Sequence, residues 1–376
     1  MSNYTRPRPW LLVLILTVIY LGVIFVANDA DPKVFVTLGE CYSVCAGNLE
    51  CEVPDDADAI QIEGYDGQFA YYLARDPNAA PPCLDVPAYR AQRMLLPALG
   101  RVLSAGQTTL IPWAFVIVNL IALAGSTALL EDLLIALNVS RWYALTYGLF
   151  VGVVMAVRLS TTETLAYGLV IAGLWFGQRN RLWQAAIMFA LAGLAKETTG
   201  LFTAGYLLYF ALNRRWWAAL RMSLIVGVPF LIWQIVLYDW LGEFGLSSGG
   251  AKATPFEIIP YAGLFKIATE GSVFAFLILA GLLFIPAAVG PSLWALWHSI
   301  RDLRNRKWDL YPCLLFTNAA IMPFVPFSTY REPLGMFRFI PGLVLMVVLY
   351  TAQRKMRRPL LYSTLWIVLI LFIVSG

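Results

Sequence analysis

Histidine is nearly missing from this chain of 376 residues; His298 is the only one. It sits at the end of an apolar run beside Trp297, no serine and aspartate around it fit a nucleophilic triad, and it reads as structural or interfacial. The phosphate-cradling patterns GxxxxGK[ST] and GxGxxG are also absent, which argues against a nucleotide-driven pump. No CxxC pair occurs, no repeat of fixed period, no low-complexity tract and no heptad pattern. Charge is scarce: only 13% of residues are Asp, Glu, Lys or Arg. No soluble domain of ordinary size can be cut from such a chain.

What is present is apolar surface. Hydrophobic residues make up 60% of the chain and the mean hydropathy is +0.69. A bilayer core about 30 Å thick needs roughly 20 apolar residues of helix. Windows of that character predict an all-α polytopic membrane protein with about eleven spans, near 10–27, 109–130, 142–157, 163–177, 183–195, 199–212, 217–238, 272–290, 310–326, 334–350 and 359–375. Several of these are short enough to be tilted or re-entrant. The first follows Arg6 and Arg8 as a signal peptide would, but its weak cleavage site and its length favour a retained anchor.

The basic residues set the orientation. With the amino terminus inside, Arg6, Arg8, Arg141, QRNR (178–181), NRR (213–215), IRDLRNRK (300–307) and QRKMRR (353–358) all fall on one side. That side is expected to be the cytoplasm of a cell (plasma or inner) membrane. The net charge of +4 then reflects anchoring to the inner leaflet, and nucleic acid is not an expected partner. The sequons at Asn3 and Asn138 fall on the cytoplasmic side and read as chance matches.

The opposite side collects the acidic loop 28–90, taken as a small cap on a single transmembrane domain spanning 1–376. It holds Cys41, Cys45, Cys51 and Cys83. With no histidine nearby, these predict two disulfides in an oxidising compartment rather than zinc, in any of three pairings. Cys313 falls inside a span as a buried thiol. After the loop, residues 86–106 show helical spacing interrupted by Arg90, Arg93 and Arg101, as an interfacial helix or a partial span.

Charges at or inside the ends of spans are costly and mark cavities or partners. Here they are Asp66, Arg158, Glu163, Lys196, Glu197, Glu270, Arg331, Glu332 and Arg338, all expected in the outer half. RLSTTET (158–164) and AKETTG (195–200) each hold a cation and a carboxylate within a few residues. They read either as local ion pairs at helix ends or as a phosphate site. Arg331 and Arg338, seven residues apart, would share one helix face two turns apart. They face either a lipid-borne phosphate or Glu332 and Glu270.

The stretch GYDGQFAYYLARDP (64–77) places Asp66 between Tyr65 and Gly67, at the start of a helix. Capping that helix would explain it. Together with YRAQRMLLPALG (89–100), LAKETTGLF (194–202) and REPLGMFRFIPGL (331–343), this stretch resembles the GT-C class of polytopic glycosyltransferases. It looks like the arrangement in bacterial mannosyltransferase-like and cell-surface glycopolymer-formation members. The resemblance implies an active site outside the membrane and a polyprenyl-phosphate sugar as donor. It implies Asp66 as catalytic base. The acceptor would be a glycan, a lipid or a protein. Many members pair acids in the first loop, whereas here only Glu63 is near. Metal use is therefore left unknown, with Mg or Mn open.

A phosphodiester leaves readily, so the chemistry needs a base at the acceptor hydroxyl and positive charge around the departing phosphate. Asp66 would supply the first and Lys196, Arg331, Arg338 and Arg158 the second. Tyr65, Gly67, Gln68, Tyr72, Glu197 and Glu332 would line the substrate pocket. One direct displacement inverts the anomeric centre. A transporter or flippase for lipid-linked glycans, and a non-catalytic assembly subunit, remain the rival readings.

Overall fold

In the computed structural model, residues 8–45, 59–270 and 272–373 are described, and every regular element among them is helical. Four helices are long and apolar enough to cross a bilayer: α1 (Pro9–Ala27), α5 (Ile111–Ala136), α10 (Trp216–Leu241) and α11 (Phe276–Arg304). The short helices between α1 and α5 include α2 (Gly67–Arg75), α3 (Pro87–Ala91) and α4 (Leu95–Leu103). The middle of the chain forms α6 (Val151–Arg158), α7 (Glu163–Gln178), α8 (Leu182–Ala195) and α9 (Gly200–Leu212). After α11 come α12 (Leu310–Ala320), α13 (Pro333–Phe339) and α14 (Pro341–Gln353).

Proline and glycine punctuate these elements. Pro9 opens α1, where its missing N–H costs nothing because first-turn amides lack intrahelical partners anyway. Gly242, at φ 79°, ends α10 in the left-handed conformation. Pro341 breaks α13 from α14 with a 48° bend; if the bent pair is one crossing, five segments can span. The predicted span 142–157 is likewise divided, into pieces at 141–144, 145–148 and α6. Inside α11, residues 279–289 adopt π-helical spacing around Pro286, whose ring cannot take part in the ordinary i to i−4 ladder.

The expected single helix carrying both Arg331 and Arg338 does not form. Pro333 pushes Glu332 into extended backbone (φ −108°, ψ 110°), so Arg331 ends one short helix at 327–331 while Arg338 belongs to α13. The interrupted segment 86–106 resolves into the two short helices α3 and α4 rather than one interfacial helix.

The core centres on α14, buried along almost its whole length, with α12, α11, α5 and α7 packed against it. In contrast α1, α10 and α11 turn rows of large apolar side chains outward, among them Val26, Ile235 and Leu282. That surface fits a lipid environment.

The turns carrying basic clusters gather at one end of the bundle. Arg354 pairs with Asp302 and Asp309. Lys355 donates to the carbonyls of Leu137 and Asn138, and Asn213 to that of Trp308. Arg8 lies 3.8 Å from Glu131 and Arg179 3.7 Å from Asp132. His298 packs between the rings of Trp294 and Tyr350 at this end, in agreement with its structural reading, and Cys313 is buried and free.

At the other end, Cys45 and Cys83 form a disulfide that ties the loop after α1 to the segment before α3. Cys51, and with it the second expected bridge, falls outside the described residues.

Candidate functional site

Asp66 immediately precedes α2, but its carboxylate does not cap that helix. It is held instead by two guanidiniums distant in sequence. Arg90 donates to Oδ1 at 2.9 Å, and Arg338 Nη1 lies 2.7 Å from Oδ2. Two backbone features bring it there. Gly67 is pressed against the turn after α6, where a Cβ would stand 2.0 Å from the Leu159 carbonyl oxygen. Gln68 is buried and accepts from the Gly39 amide while donating to the Glu63 carbonyl, which fixes the loop in front of α2.

From Asp66 the ion pairs extend into the bundle. Arg338 donates through Nε to Glu163 Oε1 at 2.9 Å, and Lys196 donates to the same oxygen at 2.7 Å. Arg338 also donates to the Tyr65 hydroxyl, which in turn donates to Glu332 at 2.7 Å. On the other side Arg90 grips Asp85 through two bonds of 2.7 Å and lies over the Phe69 ring. Arg93 makes a bidentate pair with Glu197, at 2.9 and 2.6 Å, and a bond to the Tyr89 hydroxyl. Such planar two-point pairs are the strong form of the interaction.

These charges surround a cavity of about 30 Å³, lined by Asp66, Phe69, Arg90, Arg93, Arg338 and the turn Ser160–Thr162. That is room for a water molecule or two and not for a sugar ring. Ser160 is the unusual member of the turn. It is fully buried with φ 50°, a conformation that disfavours a non-glycine residue, and its hydroxyl has no partner among the described residues.

The electrostatics of the loop groups follow from this. Burial by itself pulls the Asp66 carboxyl upward, but Arg90 and Arg338 outweigh it and hold the group well below the usual carboxylate range. The same contest, won by Arg93, lowers Glu197 to about 2, and Arg90 lowers Asp85. As arranged, Asp66 is a stable anion and a weak base.

Of the residues singled out from sequence, Asp66, Lys196, Arg338, Tyr65, Glu197 and Glu332 come together. Arg158 lies apart, half-buried at the end of α6, and makes none of these pairs; Glu163 takes Lys196 and Arg338 in place of the local pair expected with Arg158. Lys196 and Glu197 likewise point to different partners. Arg331 is exposed on the rim, 3.4 Å from the Lys252 carbonyl oxygen that accepts its bond. Gly67 and Gln68 shape the loop rather than line the cavity. Tyr72 is packed in a core beside Tyr71.

Sequence reading missed Arg90, Arg93, Asp85 and the Ser160–Thr162 turn as members of the site. The signal for the arginines was their spacing of three residues on a segment with little other charge.

Both oxygens of Asp66 face guanidiniums, and among the described residues no three His, Cys, Asp or Glu side chains converge.

A segment at 245–257 lies against the residues around the site. Its Ala251 amide donates to Asp85, Lys252 pairs with Glu63, and Thr254 and Ser328 exchange hydrogen bonds.

Comparison with protein-family models, with curated proteins and with solved structures finds no match to this chain.

Proposed function

We propose that this protein is an inverting glycosyltransferase of the GT-C kind, acting from a polyprenyl-phosphate sugar at the outer face of a cell membrane. In this reading the chain crosses about eleven times, with its basic end in the cytoplasm. The observation that carries it is the meeting of Asp66 with Arg90 and Arg338, from three remote parts of the chain, around one polar cavity at the end opposite the basic turns.

The ion pairs that quench Asp66 at rest give the reading its mechanism. A donor phosphate is an anion that competes for the same guanidiniums. As Arg338 and Arg90 turn to the phosphate, the carboxylate loses the charges that depress it, while burial continues to favour its protonated form. Its basicity rises as the donor seats. The acceptor hydroxyl then gives its proton to Asp66 while its oxygen displaces the phosphate from the anomeric carbon, and the electron pair leaves on a phosphate held by arginine. The 245–257 segment must lift to admit the sugar, which requires Lys252 to release Glu63.

A second reading has a specific observation in its favour. Arg90, Arg93, Lys196 and Arg338 are matched by Asp66, Asp85, Glu163 and Glu197, a closed and neutral set that suits a non-catalytic assembly subunit.

Asp66→Asn separates the two. The purified variant, incubated with a panel of polyprenyl-phosphate sugars and acceptors, is expected to bind donor and to lose transfer by about 100-fold or more. Full transfer activity in this variant removes Asp66 as the base.

A further inference from the structure

A larger cavity, about 550 Å³, lies at the opposite, basic end of the bundle. It is framed by the first turn of α8, the last turn of α9, and the turn leading into α10. Its polar wall is Arg214, Arg215 and Arg221. Arg179 and Arg354 at this end have carboxylate partners, while Arg304 and Arg306 are exposed without one; Arg214, Arg215 and Arg221 differ in lining a common hollow. Among the described residues these three have none; Arg215 leans over the Phe210 ring, 5.3 Å from its centre. Three guanidiniums facing one hollow without an internal counter-ion call for an anion from outside.

The rest of the cavity says which anion. Phe210, Ala186, Met222 and Ile225 form an apolar wall, and Trp183, Trp216 and Trp217 stand exposed at its edge. The wall runs into the outward face of α10, where Leu220 and Leu224 are exposed on a helix able to span a bilayer. Tryptophan at the first turn of such a helix is the side chain of the membrane–water boundary. A free phosphate gains nothing from that wall, whereas a lipid places its phosphate at the arginines and its chain along the aliphatic residues.

We propose that this cavity binds an anionic phospholipid, with the headgroup phosphate against Arg214, Arg215 and Arg221 and an acyl chain against Met222 and Ile225. The site is independent of the Asp66 cluster and of any activity there.

The test uses the full chain purified in detergent and titrated with phosphatidylglycerol or with phosphatidylcholine of the same chains, bound lipid being counted by native mass spectrometry. The expected result is a preference for phosphatidylglycerol of about tenfold or more, weakening as salt is raised. Arg214→Gln/Arg215→Gln/Arg221→Gln should abolish it and Arg221→Gln alone should reduce it. Arg304→Gln/Arg306→Gln/Arg357→Gln, which removes equal charge from the same end away from the cavity, should leave it. Equal binding of the two lipids by the unmodified protein overturns the proposal. So does an equal loss in the control variant, which reports surface charge alone, and so does displacement of the lipid by millimolar inorganic phosphate.

Discussion

Glu163 is the sharpest point at which to perturb the ion-pair cluster. Its side chain is fully buried, and its Oε1 accepts from Lys196 at 2.7 Å and from Arg338 at 2.9 Å, so one oxygen pairs with two inward-facing cations. Glu163→Gln keeps the shape and an acceptor oxygen but removes the charge. Arg338 then retains Asp66, while Lys196, 8% exposed at its side chain, retains no carboxylate within ion-pair distance. Removing one partner of a buried pair costs about 3–5 kcal/mol, because the remaining ion stays desolvated. The retained acceptor places this substitution near the lower figure, about 3 kcal/mol. With an unfolding entropy of about 2.1 cal/mol/K per residue over the whole chain, that is a fall in Tm of roughly 4 °C, and more if unfolding in detergent leaves helices intact. Thermal unfolding of the purified protein in detergent measures it. Lys196→Met added to Glu163→Gln removes the stranded cation and should restore most of the loss. A single variant within 1 °C of the unmodified protein, or a double variant that melts at the sum of the two losses, refutes the claim that the charges are coupled.

Gly67→Ala drives a methyl group into the Leu159 carbonyl and should cost about 1–3 kcal/mol, read as a lowered Tm, with Asp66 displaced from Arg338. Cys45→Ser/Cys83→Ser opens a closure spanning 38 residues and should cost about 4 kcal/mol on the chain-entropy account, seen as faster proteolysis of the 28–90 loop. Because Asp66, Asp85 and Glu197 have lowered values in the folded protein, the stability they add is fully present above the unfolded carboxylate range near pH 4. It is lost as the pH falls toward the folded value of about 2 for Glu197. Tm should therefore be flat from pH 7 to 5 and decline below 4.5, less steeply in Arg93→Gln.

The legible parts of this molecule are those set by short-range chemistry. Basic turns at QRNR, NRR and QRKMRR mark one end of the bundle because arginine and lysine cannot be placed between apolar helices without partners, and the structure gathers them there. Cysteines in an acidic loop read as a disulfide, and Cys45–Cys83 is one. Asp66, Lys196 and Arg338 stand out for the same reason as the basic turns. Pairing was harder to read. Arg158 and Glu163 are five residues apart, yet one ends α6 and the other begins α7, so the chain reverses between them and each faces different neighbours. Arg90 and Arg93 resemble the polar face of an interfacial helix until α2 and α8 are packed beside them. The break at Pro333 was visible in the dipeptide Glu332-Pro333, but the apolar run beyond it outweighed that signal.

A neutral network of four cations and four carboxylates need not be inert, and the exposure of its acids shows where it can open. Glu163 is fully buried and Asp85 nearly so at 6%, while Glu197 shows 19% of its side chain and Asp66 shows 32%, facing the cavity. An anion arriving from outside can compete only for a guanidinium whose present partner it can reach. Asp66 is the one such partner shared by two arginines, and displacing it costs least because its carboxylate is already the most hydrated. Glu163 and Asp85 would still hold Arg338 and Arg90 in place during the exchange. In the proposed reading the network thus divides into an inner set that fixes two guanidiniums and a single outer carboxylate that gives way to the donor phosphate.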